Sequence, residues 1–340
     1  MKRTILFGFA TMAALLLSAC SELNYDGPKT EIELDALTNM MTKASSAGPI
    51  NNTTFATGRT ILLSAYYNDP NGTSHSQNYF TDIPFTYYSS KWAGGTSTAT
   101  NPKYWPHQGT LNFIGLSKEG FSSGTVTHGG ATVATSVTFA MPDNSTNQDD
   151  VMIAYAGGKA KPSDGKVALS FKHCQAQIAV TAKAGVNDAT NNYGISIRSM
   201  TLRKARYSGT VTGTASGTDG VTISWANVAS GTQANRAFGS TTTRLTTTAA
   251  AYGSGILVPN QSPTGVAANI DILVEYTIHN GKDASGNALS TNLSYVYTVP
   301  ATDWTAGNKY TYAFTIGLTE ITCTPSVASW GSGTGASPSI

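Results

Sequence analysis

Apolar side chains recur at every second residue along most of this chain, and no stretch sustains a 3.6-residue period over the length of a helix. Between residues 31 and 36, acidic side chains alternate with Ile32, Leu34 and Ala36. A longer alternating run covers residues 270–278, and turns rich in Gly, Asn, Asp and Pro separate such runs. This period places one face of each strand in a core and predicts an all-β fold of two tandem β-sandwiches.

A polar segment at residues 157–165, which contains Pro and Gly, predicts the boundary between the sandwiches. We therefore expect an N-terminal sandwich over residues 44–160 and a C-terminal sandwich over residues 161–318. Beyond this boundary the apolar phase slips by one residue, from Leu169 and Phe171 to Ala176 and Ile178. The slip predicts a β-bulge near Cys174 and Gln175, because a one-residue shift turns every side chain to the other face.

The composition favours neither a catalytic nor a nucleic-acid-binding protein. Only 12% of residues are charged, and without Lys2 and Arg3 the basic residues number 19, equal to the 19 acidic ones. Electrostatic binding of nucleic acid therefore has no support. The five histidines lack metal-ligand spacing, so we expect no metal, cofactor or catalytic site, and a structural role for His173. Cys174 and Cys323 are expected to be unpaired thiols.

The N-terminus has the pattern of an export signal. Lys2 and Arg3 precede an apolar run at residues 5–17, which is too short to span a membrane. The ending Leu17-Ser18-Ala19-Cys20 resembles the bacterial lipobox, which implies a signal peptide at residues 1–19, cleavage between Ala19 and Cys20, and acylation of Cys20, palmitate included. We therefore expect a protein that works outside the cytoplasm, first anchored to a membrane by lipid.

Several blocks in a fixed order resemble the fimbrillin-like pilins of Bacteroidetes, the type V pilus family. They are the lipobox, Met41-Thr42-Lys43-Ala44, Tyr104-Trp105-Pro106 before Leu111-Asn112-Phe113, Leu169-Ser170-Phe171-Lys172-His173 before Ala176-Gln177-Ile178, Gly307-Asn308-Lys309-Tyr310-Thr311-Tyr312, and Val327-Ala328-Ser329-Trp330. The resemblance implies two transthyretin-like sandwiches, a detachable N-terminal strand and a C-terminal donor strand. It also implies an outer-membrane lipoprotein precursor that becomes part of an extracellular pilus.

In that family a trypsin-like protease removes the first strand, usually by cutting after Arg. The resemblance implies a propeptide over residues 20–43, cut between Lys43 and Ala44; here Lys stands in place of Arg. The next basic residue is Arg59, which directly precedes an apolar strand. The partners so implied are other pilin subunits, the processing protease, the outer membrane through the lipid, and a ligand on a host or bacterial surface.

The C-terminal tail, residues 319–340, has the pattern of a strand that could be donated to another subunit. Ile321, Cys323 and Val327 share one face, Trp330 ends the alternating part, and Pro325 interrupts the ladder of backbone hydrogen bonds. We therefore expect a structural pilus subunit that polymerises by donor-strand exchange and supports adhesion. The alternatives are a tip or anchor subunit of the same pilus, or a surface lipoprotein that binds glycans through exposed aromatic side chains, namely Trp92, Trp105, Trp304 and several tyrosines.

Overall fold

The computed structural model describes residues 28–38, 60–70, 77–88, 91–95, 100–117, 127–129, 136–143, 148, 150–262 and 269–329. In these ranges the chain forms strands joined by turns, with one short 3-10 turn at Val228–Ser230. The strands are β1 (Glu33–Thr38), β2 (Thr60–Asn68), β3 (Gln77–Tyr88), β4 (Lys91–Gly94), β5 (Thr110–Ser117), β6 (Thr127–Gly129), β7 (Ser136–Met141), β8 (Met152–Lys159), β9 (Lys166–His173), β10 (Ala176–Ala184), β11 (Tyr193–Arg206), β12 (Gly209–Ser216), β13 (Gly220–Ala226), β14 (Gln233–Gly239), β15 (Thr243–Arg244), β16 (Ala250–Ala251), β17 (Ile256–Val258), β18 (Asp271–Lys282), β19 (Ala288–Thr298), β20 (Asn308–Ile316) and β21 (Ile321–Ser329). The all-β prediction is confirmed.

The N-terminal half is built on a closed barrel with the strand order β1-β4-β3-β2-β5-β8-β9. β1 closes this ring, because it pairs with β4 on one side and runs parallel to β9 on the other. The barrel core includes Phe85, Phe113 and Phe171, all essentially inaccessible to solvent. Without β1 the ring has no connection between β4 and β9, so the first strand decides whether the barrel is closed.

A second sheet, β13-β12-β7-β6, packs on the outside of the barrel. Ile114 and Ile153 point outward from barrel strands into a core shared with Phe139 and Val211 of that sheet. The N-terminal half is therefore a layered sheet-on-sheet structure. The Gly/Thr/Ser-rich stretch near residues 209–226 supplies the β12–β13 hairpin, which pairs with β7 although it lies far along the chain.

The C-terminal half is a sandwich of two sheets around its own core. One sheet has the order β16-β10-β20-β21, with β17 also on β10; the other has the order β14-β11-β18-β19, with β15 also on β11. The core between them contains Ile197, Ile272, Trp304 and Phe314. β21 lies at the edge of its sheet and pairs antiparallel with β20 along its whole length.

Two sequence-based expectations about this architecture need correction. The boundary after residue 160 falls within the β8–β9 connection, and β9 pairs with β8 and β1 in the barrel. The Pro- and Gly-bearing segment is thus a turn inside the barrel. The phase slip at Cys174 and Gln175 is real, but it is the crossing from the barrel to the C-terminal sandwich, where both residues are buried.

Candidate functional site

The first strand occupies a groove that its own alternation fits. The β1 groove is formed by β4, β9, Gly165 and the backbone of residues 103–105. Ile32 and Leu34 point into the barrel core and are 0% and 4% exposed. Burying such a side chain contributes about 1.5–3 kcal/mol. These two residues therefore supply much of the free energy that keeps the first strand bound to the barrel.

Backbone groups on both sides of the groove bind the residues that lead into β1. The Trp105 N–H donates to the Thr30 carbonyl over 2.9 Å, and the Ile32 N–H donates to the Lys103 carbonyl over 2.7 Å. On the other side, the Glu33 N–H donates to the Gly165 carbonyl over 3.1 Å. Removal of the strand would leave the Trp105 N–H and the Lys103 carbonyl without these partners, and another strand in the same place could satisfy them again.

Gly165 is the tightest point of the groove. It has a φ of +74°, and a Cβ at this position would collide with the Glu31 carbonyl oxygen. Its own carbonyl oxygen accepts a second hydrogen bond, 2.7 Å long, from the Trp105 indole nitrogen Nε1. The backbone of the first strand therefore approaches Gly165 as closely as only glycine allows.

The ammonium group of Lys91 binds two carboxylates on the outward face of the first strand. The Lys91 Nζ lies 2.8 Å from Glu33 Oε1 and 3.3 Å from Glu31 Oε2. The hydrogen bond to Glu33, followed by the contacts with Glu31, raises the pKa of Lys91 above 10.5 although burial opposes this. Because the three side chains are 22–37% exposed, each ion pair contributes only about 0–1 kcal/mol. The cluster is thus better suited to selecting an occupant than to holding it tightly.

The ladder between β1 and β9 is interrupted once. Glu33 and Leu34 pair with Lys166 and Val167, and pairing resumes only at Leu37, opposite Leu169. Two residues of β1 therefore stand opposite one residue of β9 at positions 35–36. An occupant of the groove does not need a regular backbone N–H pattern at this point.

The tail predicted to be a donor strand is docked in its own sandwich up to residue 329. In β21, Ile321, Cys323 and Val327 are half-buried and pack against the C-terminal core. These three residues therefore share one face of β21, and Pro325 lies opposite Tyr312 of β20. The donor segment and the β1 groove thus belong to different cores within one chain.

The remaining residues predicted to act in processing or donation lie outside the described residues. These are Ala19, Cys20, Lys43, Ala44 and Trp330. Within the described part, no helix is long and apolar enough to cross a membrane.

Neither cysteine forms a disulfide: Cys174 is buried and Cys323 is half-buried, both as free thiols. Burial raises the pKa of the Cys323 thiol to about 12 and raises that of Cys174 as well, so neither is a reactive thiolate. His173 is 2% exposed and its Nδ1 lies 2.9 Å from Asp150 Oδ2. In the described residues, no three His, Cys, Asp or Glu side chains group as metal ligands.

The tryptophans on which glycan binding would depend are core residues. Trp92 is 2% exposed, Trp105 is 6% exposed and Trp304 is 0% exposed. A buried indole cannot stack on a sugar ring, so these three tryptophans do not support the glycan-binding alternative. Their role is to fill the two cores.

Sequence reasoning missed Lys91 and Gly165, although both contact the strand it singled out. Lys91 lies 58 residues or more from its partners in the chain, and nothing near it marks the pairing. The Asp-Gly pair at residues 164–165 marks a turn, which is a signal for Gly165 but not for its contact with the first strand.

The sequence and the fold were compared with those of known proteins, and both are similar to fimbrial proteins. A family model described as fimbrillin-like matches residues 42–330. The fold resembles a fimbrial protein from Bacteroides vulgatus, with a TM-score of 0.63, 16% identity, and coverage of 89% of this chain and 100% of that one. It also resembles a proposed cell adhesion protein from Bacteroides ovatus, with a TM-score of 0.54, 13% identity, and coverage of 89% and 99%. At these identities the two structures establish the shared fold. No curated protein matches.

Proposed function

Because the chain belongs to the fimbrillin-like family, a family of fimbrial structural and adhesion proteins rather than enzymes, we propose that it is a structural pilus subunit. It polymerises by donor-strand exchange triggered by proteolysis, and the fibre supports cell adhesion. The observation that carries this proposal is the position of β1, which closes the barrel and precedes the segment matched by the family model.

The proposed route begins with export as a lipoprotein acylated at Cys20. A protease at the outer membrane then cuts between Lys43 and Ala44. In the sequence these residues come after β1 and before β2, so one cut would separate the first strand and the lipid from the rest of the chain. A lipid anchor holds the precursor at the membrane until that cut.

Loss of β1 leaves unpaired backbone groups and exposed apolar sites that a strand from a second subunit can cover. The Lys103 carbonyl and the Trp105 N–H lose their partners, the Gly165 carbonyl keeps only the Trp105 indole, and the sites of Ile32 and Leu34 open to water. An unpaired buried polar group costs about 1–3 kcal/mol. Addition of a strand from another copy restores both the backbone bonds and the apolar contacts.

The experiment that tests this proposal holds β21 in place. Thr311 and Ser326 are directly opposed on β20 and β21, so Thr311→Cys with Ser326→Cys places two cysteines at a separation typical of disulfides. We expect the oxidised variant to remain monomeric after processing and to polymerise when a reductant is added. Each single variant is the control. Polymerisation of the oxidised double variant would overturn the proposed use of β21.

The docked state of β21 favours one alternative within the same system, a tip subunit. A tip subunit accepts a strand but donates none, so its own tail remains paired as β21 is here. The same disulfide separates the two functions, because a locked tip subunit would still enter fibres while a locked stalk subunit would not.

A further inference from the structure

The β1 groove makes three demands on a strand that replaces β1. Its outward face carries Lys91, which binds the carboxylates of Glu31 and Glu33. Its interior takes two apolar side chains two residues apart, at positions 32 and 34. Its ladder to β9 is interrupted at positions 35–36. A well-fitting occupant therefore has an acid, two alternating apolar residues, and then a residue that tolerates a missing backbone bond.

One segment of the chain meets all three demands in order. Residues 320–325 read Glu-Ile-Thr-Cys-Thr-Pro, the only place in the sequence where an acid is followed by apolar residues at the first and third positions and by Pro at the fifth. Glu320 is also the only acidic side chain after Asp303.

Resting on the proposed function, we propose that the β1 groove of one subunit takes β21 of a second copy in one register, with Glu320 in the place of Glu31. Lys91 then pairs with Glu320, and the strand runs parallel to β9 as β1 does. Lys91 sets the specificity of this exchange, because the tail offers one carboxylate at one position.

The register places the apolar residues of the tail where β1 has its own. Ile321 takes the position of Ile32, and Cys323 takes that of Leu34. In their own sandwich both tail residues are only half-buried, whereas the positions in the groove are almost inaccessible to solvent. These two side chains would therefore be less exposed in the groove than they are in β21.

The same register resolves the difficulty that Pro325 poses for a donor strand. Counting from Glu320 at position 31, Pro325 falls at position 36, inside the interruption between Leu34 and Leu37. Proline lacks a backbone N–H and is tolerated at such bulges. Shifting the tail by one residue would move Glu320 away from Lys91 and turn Ile321 out of the core.

The test uses a nicked protein, defined as residues 21–340 with a site-specific protease sequence in place of residues 42–47. After cleavage the N-terminal segment stays in the groove without a covalent link, and a fluorescent label reports its displacement. The probes are synthetic peptides of residues 319–330, either with the native sequence or with Glu320→Lys. Both are measured on the native nicked protein and on a Lys91→Glu variant, with a reductant present.

We expect the native peptide to displace the segment from the native protein about fivefold to tenfold more effectively than the Glu320→Lys peptide. On Lys91→Glu the preference should reverse, and 1 M salt should reduce it in both cases. The ratio of two peptides on one protein is insensitive to a general loss of stability. Matched controls are a Thr319→Lys peptide and a Lys103→Glu protein, since the Lys103 ammonium binds Asn101 rather than the first strand.

The outcomes separate this inference from the proposed function. The native peptide could displace the segment without any preference over the Glu320→Lys peptide, or with a preference that does not reverse on Lys91→Glu. Either result would show that the register is wrong, while strand exchange would stand. If no tail peptide displaces the segment from any variant, donor-strand exchange through β21 itself is wrong. A peptide with Thr322 and Pro325 interchanged places proline at position 33, where the N–H of Glu33 donates to the Gly165 carbonyl. It should bind more weakly than the native peptide, and equal binding would also contradict the register.

Discussion

Replacing Ile32 by alanine tests how the first strand is held. Ile32 is 0% exposed in the barrel core, so Ile32→Ala removes three fully buried carbon atoms. At about 0.8 kcal/mol for each, the loss is about 2.4 kcal/mol before any cost of the cavity. This corresponds to a weakening of at least about 60-fold in the affinity of the N-terminal segment for the rest of the nicked protein.

The assay is the concentration dependence of fluorescence anisotropy of the labelled segment after cleavage. Leu289→Ala is a matched control, because Leu289 is 45% exposed on β19 of the other core and its loss should change stability by less than about 0.5 kcal/mol. An Ile32→Ala protein that retains its segment as tightly as the native one would refute the view that apolar burial holds β1.

Three further variants test processing, the groove and the sandwich. Lys43→Ala should leave the subunit lipid-anchored and unpolymerised on cells, and normal processing would move the cut elsewhere. Gly165→Ala should weaken the retention of the nicked segment by more than about 1 kcal/mol, because its φ of +74° and the neighbouring carbonyl exclude a Cβ; unchanged anisotropy would contradict this. Burial alone would raise the pKa of Asp271, but hydrogen bonds from Arg203 and Lys204 outweigh burial and lower it from 3.8. Its contribution to stability is therefore present above that value and lost as the pH falls through the lower folded pKa. Asp271→Asn should flatten the acid limb of a melting-temperature profile, and an unchanged acid limb would argue against the ion cluster.

The period-two pattern predicted the strands well because each strand has one face in a core. Ile32 and Leu34 are buried as their alternation requires, and so are Val167, Leu169 and Phe171 of β9. Local pattern also located the slip after His173. It could not distinguish a bulge from a crossing between two cores, because both reverse the buried face.

What the sequence did not show depends on pairings between distant residues. The segment 157–165 has the composition of a linker, yet its first residues end β8, and β8 pairs with β9, which follows the segment. The β12–β13 hairpin pairs with β7, which lies far earlier in the chain. Lys91 contacts its acidic partners only because β4 and β1 are neighbours in the closed ring. The closure of the ring cannot be predicted from the sequence of any one segment.

The central claim is that the working subunit has lost its first strand. N-terminal sequencing of polymers sheared from cells measures this directly. The account expects chains that begin at Ala44 and lack residues 20–43. Polymers whose chains begin at an acylated Cys20 and retain β1 would contradict it.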